Sequence, residues 1–302
     1  MKLRLGTRGS ALAKTQSGIV ADWLRARGAE VEMVLIRTTG DRLSELRQPI
    51  EGKGIFTKEL DEALLDRRID LAVHSMKDLP SELPPGIEIA AVPEREDARD
   101  VLVTRDGVSL PELRSGAVVG TGSPRRAGQL RALRPDLVCV DARGNVDTRI
   151  RKLREGAWDA IVLARAGLRR LGREDEASQV LEIAQMIPAV AQGALAITVR
   201  EGDPIPPVRA LEHPPSRAAV RCERRILREL EGGCRAPVAA HAWADARSLR
   251  VTAAVMSLDG ATVIRVDREG AASEPEALGA QAADALLARG AAAIVAAARV
   301  SA

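Results

Sequence analysis

The chain has 302 residues, 46% hydrophobic and 29% charged, with 45 basic side chains against 42 acidic ones and a formal net charge of +3. That length suits two or three domains with real cores, and no apolar run approaches the roughly 20 residues a bilayer span needs. Balanced charge, aromatics at 1% and no Tyr argue against nucleic acid, whose binders carry a basic excess and stacking rings.

Met1-Lys2-Leu3-Arg4-Leu5 alternates polar and apolar and has no h-region, so it reads as a first strand and not as a secretion signal. Leu3–Gly6 is that strand, and Ser10 caps a helix running to about Arg27. Glu30–Arg37 reads as a strand with Val31, Met33 and Leu35 on one face. A loop with Gly52-Lys53-Gly54 precedes a helix over Thr57–Arg67, and Asp70–Val73 and Ile87–Val92 are further strands. The pattern then restarts, with strands at Ala117–Gly120, Leu137–Val140 and Ala160–Leu163 and helices beginning at Pro124, Val146 and Arg165. Ser123 before Pro124 is a cap followed by proline at the first helical position.

This alternation predicts an α/β protein with two similar domains around a cleft, 1–93 and 94–187. A strand at Ala194–Val199 lies in a segment, 188–208, that returns to the first domain. Residues 209–302 read as a smaller α+β domain. It holds a helix over Ser216–Leu230, strands at 236–244, 248–257 and 262–268, and one Ala-rich helix after Glu274.

Open α/β sheets bind ligands outside the carboxyl ends of their strands, where helix amino termini favour anions. Arg8 and Ser10, the Ser123-Pro124-Arg125-Arg126 run, and Arg143-Gly144-Asn145 with Arg149 all fall at such places. Each alone is a capped helix with a surface arginine; three recurrences point to an extended ligand with several carboxylates. No phosphate-cradle motif stands in the right context. Asp78, beside Lys77 and directly after the Asp70–Val73 strand, is a lone carboxylate among cations. It is either a surface balance to Lys77 or a group that stabilises a developing cation. Cys234 follows Gly232-Gly233 on a loop, a weak sign of a reactive thiol. Cys139, Cys222 and Cys234 fit neither a disulfide framework nor a zinc site, and His74, His213 and His241 lack metal spacing, so a cytoplasmic, metal-free protein is expected.

Nine runs carry a resemblance over nearly the whole chain. They are GTRGSALA at 6–13, GKGIFTKEL at 52–60, DLAVHSMKDLP at 70–80, EREDARD at 94–100, GTGSPRR at 120–126, RGNVDTRI at 143–150, DAIVLARAGLRRL at 159–171, PAVAQGALAI at 188–197 and EGGCRAP at 231–237. In this order they resemble the porphobilinogen deaminase (hydroxymethylbilane synthase) family. The resemblance implies two domains like those of type II periplasmic binding proteins, plus a third carrying a dipyrromethane cofactor on a thioether to Cys234. It implies head-to-tail condensation of four porphobilinogen molecules with loss of ammonia; from the residues alone, nothing demands more than a monomer, and no nucleic-acid or membrane partner is expected.

Carried over residue by residue, Asp78 is the catalytic group. Lys77, Ser123, Arg125, Arg126, Arg143 and Gly144 hold the cofactor with Cys234, and Arg8, Ser10, Lys53, Arg149 and Arg170 hold substrate carboxylates. Two departures stand out. Ala191 replaces the family's usual Gly, a conservative change bearing on loop mobility, and Gly122 replaces a commoner Ser. A solute-binding protein would share the cleft and basic lining, but would need neither Asp78 nor the Gly-Gly-Cys loop.

Overall fold

The computed structural model describes residues 1–40, 57–230, 236–245 and 247–300. It divides into two compact units, one of Met1–Glu96 with Ala194–Arg217, the other of Asp97–Gly193 with Ala218–Ala302.

The first unit is built on a five-stranded sheet. Its elements are β1 (Lys2–Thr7), α1 (Ala11–Arg25), β2 (Glu30–Leu35), α2 (Lys58–Leu65), β3 (Leu71–Ser75) and β4 (Ile87–Ala91). The second unit begins with β5 (Asp100–Thr104), β6 (Val118–Gly120), α3 (Pro124–Leu133), β7 (Val138–Val140), α4 (Val146–Arg154), β8 (Ala160–Ala164), α5 (Arg165–Arg170) and β9 (Gln179–Leu181). The chain then returns to the first sheet as β10 (Leu195–Arg200), followed by α6 (Pro206–Arg209) and α7 (Pro214–Glu229). A three-stranded sheet, β11 (Val238–Ala244), β12 (Ser248–Met256) and β13 (Val263–Ala271), and helices α8 (Pro275–Leu287) and α9 (Ala291–Val300) complete it.

The two five-stranded sheets share one topology. Their orders are β2-β1-β3-β10-β4 and β7-β6-β8-β5-β9. In each, three parallel strands are followed by one antiparallel strand arriving from elsewhere in the chain, β10 or β5, and by a last strand at the far edge. This repetition is the two-domain α/β architecture expected from the sequence, with the smaller α+β region following. β3 and β8 are buried along nearly their whole length, which is why they read as continuous apolar runs. Truncating Leu102 or Ile161, each fully buried in the second unit, to Ala would cost about 2–5 kcal/mol.

Three readings change. β5 and β9 are strands the sequence pattern did not announce. On β2 only Val31 of the expected apolar face is buried; Met33 and Leu35 are 38% and 51% exposed, because β2 is an edge strand. The Ala-rich tail is two helices, α8 and α9, broken at Gly290, whose φ of +92° suits glycine. No single helix among the described residues is long and apolar enough to cross a membrane.

Each sheet has one tryptophan beside it. Trp23 packs on the first core and Trp158 lies in the second. Trp243 is 48% exposed on β11 and stacks on His241 with ring centres 5.8 Å apart. Gly120 is forced by Trp158, since a side chain there would come 2.7 Å from the indole.

Candidate active site

In the first unit β1 and β3 are parallel neighbours, with Gly6 level with Ala72. Their following loops therefore leave from the same sheet edge. After β1 comes half-buried Arg8, then Ser10, whose hydroxyl accepts from the Ala13 N–H at 3.3 Å and starts α1. After β3 comes a 3₁₀ turn, Met76–Asp78. Met76 and Leu79, each 2% exposed, pin this turn, and the Met76 N–H donates to the Ala194 carbonyl at 3.0 Å. Asp78 is thereby held exposed at the sheet edge, with Lys77 half-buried beside it.

Two buried side chains fix the approach to that turn. The Gln16 amide donates to Ser75 Oγ at 2.8 Å, and His74 Nε2 lies 2.9 Å from Thr198 Oγ1 on β10. Burial, with the Arg8 charge assisting, pushes His74 down to about 4. The imidazole is therefore neutral near pH 7 and acts as a tether between strands.

In the second unit the parallel neighbours β6 and β7 end level with each other, Gly120 beside Val140. Two helix amino termini open just beyond them. Ser123 caps α3 through the Arg126 N–H at 3.4 Å, and Asn145 Oδ1 caps α4 through the Thr148 N–H at 2.9 Å. Gly144 has a φ of +112°, and a side chain there would meet Thr148 at 2.8 Å, so the loop into α4 requires glycine. Arg143 is exposed and donates from Nε to Asp141 Oδ2 at 2.6 Å.

Arg149 is half-buried and its Nε has no hydrogen-bond partner among the described residues. Burial, together with the like charge of Arg126, lowers it to about 10, against the pull of Asp141. A guanidinium kept charged under that penalty gains most from an added anion.

Arg125 and Arg126 stand differently. Both are buried, and both close on Asp100, which is fully buried. Arg125 donates from Nη1 to Asp100 Oδ2 at 2.7 Å and to the Ile187 carbonyl at 2.8 Å. Arg126 reaches Asp100 Oδ1 from Nε at 3.1 Å and Nη2 at 2.7 Å, and the Val162 carbonyl from Nη1 at 2.9 Å. The buried Gln192 amide donates to the same Asp100 oxygen at 2.9 Å. The charges of Arg125 and Arg126 hold the Asp100 carboxyl far below the usual carboxylate range against the cost of burial. One carboxylate between two guanidiniums leaves this cluster with a net positive charge. Arg170 donates from Nη2 to the Gly193 carbonyl at 2.6 Å.

Asp78, Lys77, Arg8 and Ser10 are thus gathered at one sheet edge, and Ser123, Arg143, Gly144 and Arg149 at the other. Lys53 and Cys234 lie outside the described residues. Among the described residues no group of His, Cys, Asp and Glu side chains converges as metal ligands. The donors suit a linear group with several carboxylates, as a dipyrromethane is. Two capped helix termini offer N–H groups, and Arg149 has a donor to spare.

A model of the porphobilinogen deaminase dipyrromethane cofactor-binding domain matches residues 3–205, and one of the C-terminal domain of the same enzymes matches 217–288. The chain belongs to the porphobilinogen deaminase family. The porphobilinogen deaminase of Desulforudis audaxviator is 50% identical over 99% of this chain and 98% of its own length. That of Rubrobacter xylanophilus is 50% identical over 97% and 96%. Among solved structures, the methionine-binding protein MetQ aligns over 74% of this chain and 90% of its own, at 12% identity and a TM-score of 0.45.

Set against the family pattern, the two departures have different weights. Gly122 is exposed, and a side chain there would come 2.9 Å from Asp141 Oδ1, next to the Arg143 pair. Ala191 has a φ of +59°, so the Gly-to-Ala change is not conservative: it places a Cβ in the left-handed region. Asp100, Gln192 and Gln16 escaped the sequence reading. The first two stand inside the motif runs, but nothing in linear spacing tells that their side chains meet.

Proposed function

We propose that this chain condenses four porphobilinogen molecules head to tail into hydroxymethylbilane, as a monomer in the cytoplasm. The observation that supports this best is the exposed carboxylate of Asp78, which stands after β3 with Lys77 beside it in a unit whose Arg8 and Ser10 follow the neighbouring strand β1. Cys234 would hold the dipyrromethane through a thioether, and the group would supply a primer that keeps the growing chain on the protein.

Each condensation breaks the C–N bond of a substrate aminomethyl group, and ammonia leaves with the electron pair. The cation so formed is captured by the free carbon of a second pyrrole, which then loses its proton, and release of the product would require cleavage of its bond to the primer with addition of water. Asp78 faces the cation left by ammonia loss, stabilises it and accepts hydrogen bonds from pyrrole N–H groups. Arg8, Ser10, Lys53, Arg149 and Arg170 bind the acetate and propionate groups of the substrate. Lys77, Ser123, Arg126, Arg143 and the Gly144 loop hold those of the cofactor, with Arg125 supporting Arg126 through Asp100. His74 and Gln16 keep the Asp78 turn in place.

Intact mass of the denatured protein, beside a Cys234→Ser variant, tests the reading. A covalent excess of two linked pyrrole units that disappears in the variant is the expected result. A wild-type mass with no excess that stays constant on incubation with porphobilinogen would overturn it in favour of a solute-binding protein.

A further inference from the structure

Glu223 is a carboxylate with no part in the chemistry above, and it is fully buried on α7. A buried charge is tolerated only when its oxygens are well bonded. Oε2 accepts from the Ala191 N–H at 2.5 Å, and Oε1 from the Ala242 N–H at 2.6 Å. His241 Nδ1 is 3.9 Å from Oε1.

The two backbone partners have telling places in the chain. Ala242 is on β11, which begins at Val238. Glu223 is on α7, which ends at Glu229. Between these ends runs the Glu231-Gly232-Gly233-Cys234 segment. Glu223 lies about 9 Å of helix from the end of α7, and Ala242 about 13 Å of strand from the start of β11. One carboxylate therefore ties the helix that precedes Cys234 in the chain to the strand that follows it.

Its other oxygen holds the turn before β10 at Ala191, the residue with left-handed φ. The next residue, Gln192, sends its amide to the Ala98 carbonyl at 2.7 Å and to Asp100 at 2.9 Å. Asp100 in turn holds Arg125 and Arg126. The Ala240 N–H on β11 also donates to the Pro188 carbonyl at 3.1 Å, bracing the same turn against the same strand. All of these groups belong to one compact unit.

We propose that Glu223 is a positioning residue that sets α7 and β11, the elements on either side of Cys234 in the chain, in register with the Arg125–Asp100–Arg126 cluster. It thereby fixes the two described ends, α7 and β11, between which the chain carries Cys234, the anchor for a primer whose carboxylates Arg126 serves. The inference rests on the reading of Cys234 as the cofactor anchor. Glutamine in place of Glu223 keeps the shape but turns one end of the clasp into an N–H₂ facing a backbone N–H.

The test compares wild type, Glu223→Gln, Cys234→Ser and Val251→Ala. The last is a fully packed β12 residue of the same unit, which serves as a control for general destabilisation. The readouts are the fraction of purified protein carrying the covalent excess, its rate of growth on adding porphobilinogen, and amide hydrogen exchange at Ala191 and Ala242. In Glu223→Gln, occupancy should fall at least threefold and the rate of mass gain about tenfold, with both amides losing protection. Val251→Ala should load as wild type does.

Wild-type loading in Glu223→Gln, or an equal defect in Val251→Ala, overturns the proposal. If Glu223→Gln does not fold, Glu223→Asp, whose carboxylate is drawn back by one methylene, is read in the same way. Failure of both to fold makes Glu223 a folding requirement and also overturns the positioning role. An adduct that persists in Cys234→Ser defeats the underlying anchor reading instead.

Discussion

The two five-stranded sheets have the same strand order but differ in chemistry at the edge where their loops emerge, since the first adds an exposed carboxylate, Asp78, to its cations. The first presents a carboxylate, Asp78, on a turn pinned by Met76 and Leu79. The second presents arginines, one pair sunk onto Asp100 and another, Arg143 and Arg149, nearer the surface. The scaffold thus fixes where loops emerge, and the few residues after each strand decide what they do.

If that division holds, the largest effect belongs to the first edge. Asp78→Asn should lower kcat at least 1000-fold, about 4 kcal/mol on the barrier, with a melting temperature close to wild type because the side chain is exposed. Near-normal turnover would break the contrast. Asp100→Asn should act on stability, costing about 3 kcal/mol in urea unfolding by leaving two buried guanidiniums without their carboxylate.

A pH experiment sharpens the first side. Burial raises Asp61 on α2 from 3.8 to about 6, with a Thr57 hydrogen bond opposing and the Glu62 charge assisting. Between those values the folded chain keeps a proton that the unfolded chain has released, so this group lowers stability as pH rises through the window. Urea unfolding at pH 4 and pH 7 should show Asp61→Asn gaining on wild type by at most about 3 kcal/mol at the higher pH. On the second side, Arg149→Gln should raise KM for porphobilinogen about tenfold, roughly 1.4 kcal/mol of binding, with little change in melting temperature. The smallest effect is expected from Ala191→Gly, a stabilisation of about 1 kcal/mol from relief at the left-handed position, measured by thermal unfolding.

Much of this contrast was legible in the sequence. The alternation of strands and helices, the caps at Ser10 and Ser123, and the placing of arginines after strands all survive in the fold. What escaped has physical causes. β5 opens on Asp100, a charged residue that hides a strand, and β9 has only three residues. Met33 and Leu35 alternate as if half-buried, but apolar spacing cannot show that a strand lies at an edge. Arg125 and Arg126 read as surface forks, because a partner 25 positions away leaves no trace in local periodicity. The left-handed backbone at Ala191 was hidden in the same way, since alanine gives no sign of a conformation suited to glycine.

The distribution of tryptophan has a use beyond packing. With three indoles and no tyrosine, near-ultraviolet emission from this protein comes from Trp23, Trp158 and Trp243, one beside each sheet. Replacing two of the three with Phe leaves a single fluorophore for the remaining sheet. The order in which the three sheets lose their structure, or respond to a growing tetrapyrrole, can then be followed optically without adding a label.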